Sequence, residues 1–227
     1  IHGYRPLLYR QACHNDRVQG HGLWTQTSVI ILAMEDFWLN HDQWTTDWLT
    51  YMSRLDRRHW VEINTVIIHA TELPTLAMAR EYAEIIHYTE SQTGNSGHFY
   101  IEKNGKTHCW VRPDYIAHHT RGYNQTSIGI ELVHLGRYPR WLATDQQSWT
   151  EPYPDEQITA LVSLLKILKE VLPQLHHIAG HDELDTTYTE ASDDPAQQVR
   201  RKMDPGPTFP WTKVLAESGL TPLKPAL

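Results

Sequence analysis

"INTVIIH", residues 63–69, is the stretch on which the fold turns. Val66, Ile67 and Ile68 are apolar at successive positions, so both faces of an extended segment would be dry, and Thr65 adds another β-branched side chain. That is the pattern of a central strand covered on both sides, not of a strand with one wet face. It predicts a sheet with helices packed on it.

The flanking segments supply those pieces. Residues 76–91 place Met78, Tyr82, Ile85 and Ile86 near helical spacing. "GHFYIEKNGKTHCWV" (97–111) reads as two strands around Asn104-Gly105, a dipeptide that tolerates the positive φ values of a tight hairpin turn. "SIGIELV" (127–133) is a further strand. Residues 155–172 carry Ile158, Leu161, Val162, Leu165, Leu168 and Leu172, with Asp155 as a cap and Pro173 as a stop, which predicts a helix. A last short helix is expected from Thr212 to Ser218 with Gly219 behind it.

Upstream, "VIILAM" (29–34) reads as a short strand, and 40–55 puts Trp44, Trp48, Leu49, Met52 and Leu55 on one face of an amphipathic helix. Residues 1–25 show no sustained period. The fold class is therefore α/β: one domain with a central mixed β-sheet flanked by helices, residues 61–227, with residues 1–60 as an extension packed on it.

Composition narrows the partners. A chain of 227 residues that is 40% hydrophobic suits one globular domain with a substantial core. Its formal charge of −7 argues against a sequence-independent grip on nucleic acid or anionic lipid. The longest apolar run falls far short of the roughly 20 residues of a spanning helix, so no transmembrane segment is expected. Cys13 and Cys109 are too few for a disulfide framework, and whether they pair is open. A monomer is expected.

With fifteen histidines, only position discriminates among them. His69 ends the buried strand, where a sheet delivers functional side chains to its rim. His181 lies in "HHIAGHDEL" (176–184), behind a glycine that permits close backbone approach. Asp204 lies in "KMDPGP" (202–207), where Pro-Gly-Pro forbids helix and ladder alike. Two imidazoles and one carboxylate are the ligand set of a catalytic zinc with an open position.

The succession "VIIHAT", "SGHFYIEKNG", "AHHTRGYNQTSIGIELV", "YPDEQITAL", "AGHDE" and "KMDPGPTFPW" resembles the type-2 N-acetylmuramoyl-L-alanine amidases, AmpD-like zinc enzymes that share their fold with peptidoglycan recognition proteins. The resemblance runs from about Val61 to Trp211. It implies that His69, His181 and Asp204 hold Zn2+, that Glu131 is the catalytic carboxylate, and that Lys202 is the cation beside the reacting carbonyl. It further implies a peptidoglycan or muropeptide substrate, cleaved between the lactyl group of N-acetylmuramic acid, or its anhydro form, and L-alanine of the stem peptide. A bacterial cell-envelope location is expected ahead of a cytoplasmic one.

Where some relatives have a tyrosine before the hairpin histidine, this chain has Gly97, which leaves the proton transfer to Glu131. His118 replaces an aromatic residue of some relatives, so His119 is the expected substrate contact, with Tyr123 and Asn124 beside it. "RGYN" (121–124) reads equally as a cleft element or as a turn built on Gly122 and Asn124. The long stretch 182–201 is expected to decorate the rim rather than close as a lid. Two alternatives stay open: a non-catalytic peptidoglycan-binding module and a zinc peptidase acting on another amide.

Overall fold

The computed structural model describes residues 37–223. A compact unit begins at Gln43 and carries everything considered below. The strand expected at 29–34, Cys13 and most of the extension 1–60 lie outside the described residues. Residues 43–60 belong to the compact unit itself.

The strands are β1 (Thr45–Thr46), β2 (Thr65–Ala70), β3 (Phe99–Ile101), β4 (Thr107–Cys109), β5 (Ser127–Leu132), β6 (His177–Gly180), β7 (Tyr188–Glu190), β8 (Gln198–Arg200) and β9 (Thr221–Pro222). In the unit from Gln43 the helices are α1 (Leu76–Ala83), α2 (Asp155–Val171), α3 (His181–Leu184) and α4 (Trp211–Ser218). Seven strands form one sheet in the order β1-β4-β3-β5-β2-β6-β9. Only β3 and β4, the two arms of the predicted hairpin, pair antiparallel within it. β2 is buried at every position, as its unbroken apolar run requires.

α2 buries Ile158, Leu161, Val162, Leu165 and Leu168, and each such side chain contributes about 1.5–3 kcal/mol on leaving water. Gln157 is buried among them because its amide donates to the carbonyls of Ile101 (2.9 Å) and Val133 (3.1 Å), just where β3 and β5 end. The helix is capped by Pro154, with Asp155 one position inside it rather than at the cap as expected. α4 ends as predicted, on a left-handed Gly219.

Two helix predictions fail, each for a physical reason. No α-helix forms over 40–55. Instead Thr45 and Thr46 extend along β4, and the ladder continues from Asp47 N–H to the Cys109 carbonyl (3.1 Å) and from Leu49 N–H to that of Trp110 (3.0 Å). A sheet edge with open backbone groups and a β-branched pair outweigh the helical spacing. Trp44, Leu49 and Leu55 are buried all the same, Trp44 edge-on to Phe99, and Met52–Arg54 form one 3-10 turn. α1, capped by Thr75, stops at Ala83, far short of residue 91. It buries Ala79 and Ala83, not Tyr82, Ile85 and Ile86, because the small face lets the helix lie close to Tyr51, Tyr100 and Trp110.

The stretch 182–201 forms α3 and a two-stranded ladder of β7 with β8, an element its sequence did not announce. Cys109 is a buried free thiol, pushed well above its ordinary pKa by that burial. Among the described residues no helix is long and apolar enough to cross a membrane.

Candidate active site

Three adjacent parallel strands bring the expected residues into one row. His69 on β2 pairs in register with Glu131 on β5, and Glu131 in turn with Tyr100 on β3. Register partners in a parallel sheet project to the same face, so all three side chains share it. β6 pairs with β2 through Ile68 and Gly180, which leaves His181, one residue on, beside His69.

The turn at 202–207 is held from both sides. A Cβ on Gly180 would lie 2.9 Å from Cδ of Pro205, and one on Gly206 (φ +81°) would lie 2.4 Å from the Trp149 indole. Only glycine at both places lets the turn seat this deeply. Asp182 N–H donates to the Asp204 carbonyl (2.9 Å) and the Tyr153 hydroxyl to that of Pro205 (2.7 Å). The Asp204–Pro205 peptide is cis.

Asp204 Oδ2 therefore lies 2.9 Å from His69 Nδ1 and 3.0 Å from His181 Nδ1, with all three residues buried. Burial, and next the neighbouring His181, lower the His69 pKa to about 4, so its imidazole is neutral with a lone pair to give. Burial pushes the Asp204 carboxyl up, but His181, His69 and Lys202 more than offset this and hold it well below the usual carboxylate range. Its second oxygen, Oδ1, is buried with no hydrogen-bond partner. An orphaned buried carboxylate oxygen is costly, and a cation beside it removes that cost. The donor set, two imidazoles and one carboxylate converging within 4.8 Å, fits zinc better than magnesium or calcium, which take oxygen ligands.

Glu131 is partly buried in the same cleft, a hollow of about 520 Å³ that also contains Lys202, Tyr100, His118, Thr120, Arg121, Asn124 and Trp141. Burial first, then the charges of Asp204 and Glu72, raise its pKa to about 8 against the opposing pull of Lys202. Gly97 makes the space it occupies: a Cβ there would be 2.8 Å from Glu131 Cγ.

The remaining expected residues fall into different roles. His119 lies in the cleft, but both ring nitrogens are engaged by protein groups, Nδ1 by His69 Nε2 (3.0 Å) and Nε2 by Ser127 Oγ (3.2 Å). Burial, then the charges of its basic neighbours, hold it well below the ordinary histidine pKa. Asn124 also lies in the cleft, where its side-chain oxygen accepts from the backbone of His119 (3.1 Å) and Thr120 (2.7 Å), fixing the turn. Tyr123 is not among the residues facing the cleft. His118 packs edge-on to Tyr88, with ring centroids 4.8 Å apart. Of the stretch 182–201, only Arg201 reaches the cleft.

Sequence reasoning missed a buried ion pair at the cleft floor. Glu72 accepts from Arg137 Nε and one terminal nitrogen, both at 2.8 Å, and from its backbone N–H at 3.1 Å. Glu72 sits at φ 49°, a left-handed conformation that costs a non-glycine residue on the order of 1–3 kcal/mol. The Trp141 indole donates to its carbonyl (2.9 Å). Nothing in the local pattern around "ATEL" or "LGRY" signals a pairing across 65 residues.

Comparison with known proteins gives this geometry its context. The family described as N-acetylmuramoyl-L-alanine amidase matches residues 59–207. N-acetylmuramoyl-L-alanine amidase AmiD of Escherichia coli K12 is 30% identical over 60% of this chain and 52% of its own length, so the chain spans about half of that relative. A solved structure of the E. coli AmiD, in complex with the substrate anhydro-N-acetylmuramic acid-L-Ala-D-gamma-Glu-L-Lys, superimposes with a TM-score of 0.53 at 22% identity over 73% of this chain and 61% of that one. N-acetylmuramoyl-L-alanine amidase LysC from Clostridium intestinale gives 0.52 at 19% identity over 77% and 93%.

Proposed function

The chain belongs to the N-acetylmuramoyl-L-alanine amidase family, and from that premise we propose that it hydrolyses the amide between the lactyl group of N-acetylmuramic acid and L-alanine of the peptidoglycan stem peptide, with zinc as its metal. The observation that supports this most directly is convergence. Two imidazoles, an ionised carboxylate with an orphaned oxygen, a second carboxylate and a lysine meet in one cleft.

His69, His181 and Asp204 would hold the ion. When bound, zinc lowers the pKa of its water to roughly 7 and polarises a carbonyl group. Beside a divalent cation and Lys202, Glu131 would ionise despite its burial, and its carboxylate then accepts the proton of the attacking water. The same carboxyl returns that proton to the departing nitrogen, so that the L-alanine amine leaves neutral. Lys202 offers a positive charge where negative charge develops on the carbonyl oxygen. The stiff turn serves this division of labour by presenting Lys202 and Asp204 from one rigid segment.

The test is mass spectrometry of products from intact sacculi and from soluble anhydro-muropeptides, side by side. The expected products are the lactyl-bearing sugar and a stem peptide with a free L-alanine amine, abolished by a chelator and restored by zinc. Cleavage at any other amide, or none in either substrate, would overturn the assignment.

A further inference from the structure

We propose that His119 is a positioning residue for the metal site: it accepts the Nε2–H of His69 and so fixes the tautomer and ring plane in which His69 presents Nδ1 to the ion. The inference rests on the reading of His69, His181 and Asp204 as ligands. It follows from the direction of one chain of hydrogen bonds, which can be read from its far end.

That end is the backbone carbonyl of Tyr123, which only accepts. The Ser127 hydroxyl lies 2.7 Å from it and donates to it. The proton of Ser127 is thereby committed, and its oxygen accepts from the next neighbour, His119 Nε2 at 3.2 Å. A neutral imidazole that carries its proton on Nε2 has a bare Nδ1. His119 Nδ1 faces His69 Nε2 at 3.0 Å and accepts its proton. Thr120 Oγ1, 3.1 Å from His119 Nδ1 and 3.3 Å from His69 Nε2, flanks the same junction. With its proton on Nε2, His69 has its lone pair on Nδ1, the atom that faces Asp204 Oδ2. Each donor meets an acceptor from the carbonyl of Tyr123 to the rim of the metal site.

The position of the His119 ring is itself built into the sheet. A Cβ on Gly129 would lie 2.7 Å from His119 Cγ and 2.8 Å from Nδ1, so the ring lies directly on a strand that has no side chain at that point. The backbone N–H of His119 is tied to Asn124 Oδ1 at 3.1 Å. Partners of this kind, one bond removed from the metal, typically change affinity by about 10–100-fold when removed.

Zinc affinity by chelator competition and the absorption spectrum of the cobalt-substituted protein test this without recourse to turnover. His119→Leu is expected to weaken zinc by about 10–100-fold and shift the cobalt bands. His119→Asn, whose carbonyl oxygen falls where Nδ1 was, should stay within about 3-fold of the parent. Ser127→Ala frees the His119 tautomer and should weaken zinc in the same direction as His119→Leu by a smaller factor. A parent that binds no zinc overturns the metal reading and this inference with it. A zinc-binding parent with an insensitive His119→Leu overturns this inference alone, and so does an Asn variant that loses as much as the Leu variant.

Discussion

Replacing Glu131 by Gln should flatten the pH dependence of stability while it lowers turnover. In the metal-free protein the folded-state pKa of Glu131 rises from 4.5 to about 8. Between those values the folded chain holds a proton that the unfolded chain has released, so stability falls as pH rises from 4.5 and levels off above 8. At about 1.36 kcal/mol for each pH unit, the ceiling on this loss is roughly 4–5 kcal/mol, and roughly 2–3 kcal/mol once the solvent reaching a cleft carboxylate is allowed for. Gln cannot ionise and escapes the loss, although its amide carries a constant cost of its own. Urea melts of parent and Glu131→Gln in chelator at pH 5 and pH 9 separate the two effects, because the constant cost cancels in the difference. The parent should lose about 2–3 kcal/mol more than the variant between those pH values. With zinc restored, the variant should hydrolyse muropeptides about 10²–10⁴-fold more slowly with unchanged zinc content. Parallel pH dependence in the two proteins would refute the electrostatic argument, and near-parental turnover would refute the role as base.

Two further outcomes follow from the packing around that carboxylate. Arg137→Met should cost about 3–5 kcal/mol in a urea melt by leaving Glu72 charged and buried, and adding Glu72→Leu should recover part of it, since the pair rather than either partner is the unit. Gly97→Ala would bring a methyl group 2.8 Å from Glu131 Cγ. Its kcat should fall by about 10–100-fold with zinc content unchanged, as expected for a displaced base.

What could be read in the sequence was whatever a short period or a rigid turn encodes. "VIIH" announces a buried strand, and a residue that ends such a strand is delivered to the sheet rim, so His69 was legible from the strand pattern, whereas the role of Glu131 came only from the resemblance of "SIGIELV" to the amidase family. Pro-Gly-Pro made Asp204 legible because few backbones can hold that sequence. The helix over 40–55 was misread because Trp44, Leu49 and Leu55 are buried in either conformation, and periodicity alone does not see the open edge of β4 that claims Thr45 and Thr46. The length of α1 was misread because its buried face is Ala79 and Ala83, small residues that carry little hydrophobic signal. The engagement of His119 by His69 and Ser127 was invisible because it depends on three segments meeting in space.

The same limit hid the anchor of the turn. Besides its bonds to Glu72, Arg137 donates to the carbonyls of Arg200 (2.8 Å) and Arg201 (3.4 Å), the two residues that lead into Lys202. Glu72 follows β2 by two residues, so one guanidinium ties the strand that ends near His69 to the segment that carries Lys202 and Asp204. A fully formed fork of this kind fixes direction as well as distance, which a lysine in its place would not. The left-handed backbone at Glu72 is then explained by what it secures. In that conformation the carboxylate lies at the cleft floor, where a Cβ on Gly136 would lie 2.5 Å from its Cγ and the arginine bonds to it directly. His69 on its strand and Lys202 and Asp204 in the turn thus share one buried reference point, and the fold holds Lys202 in place relative to His69 through that anchor.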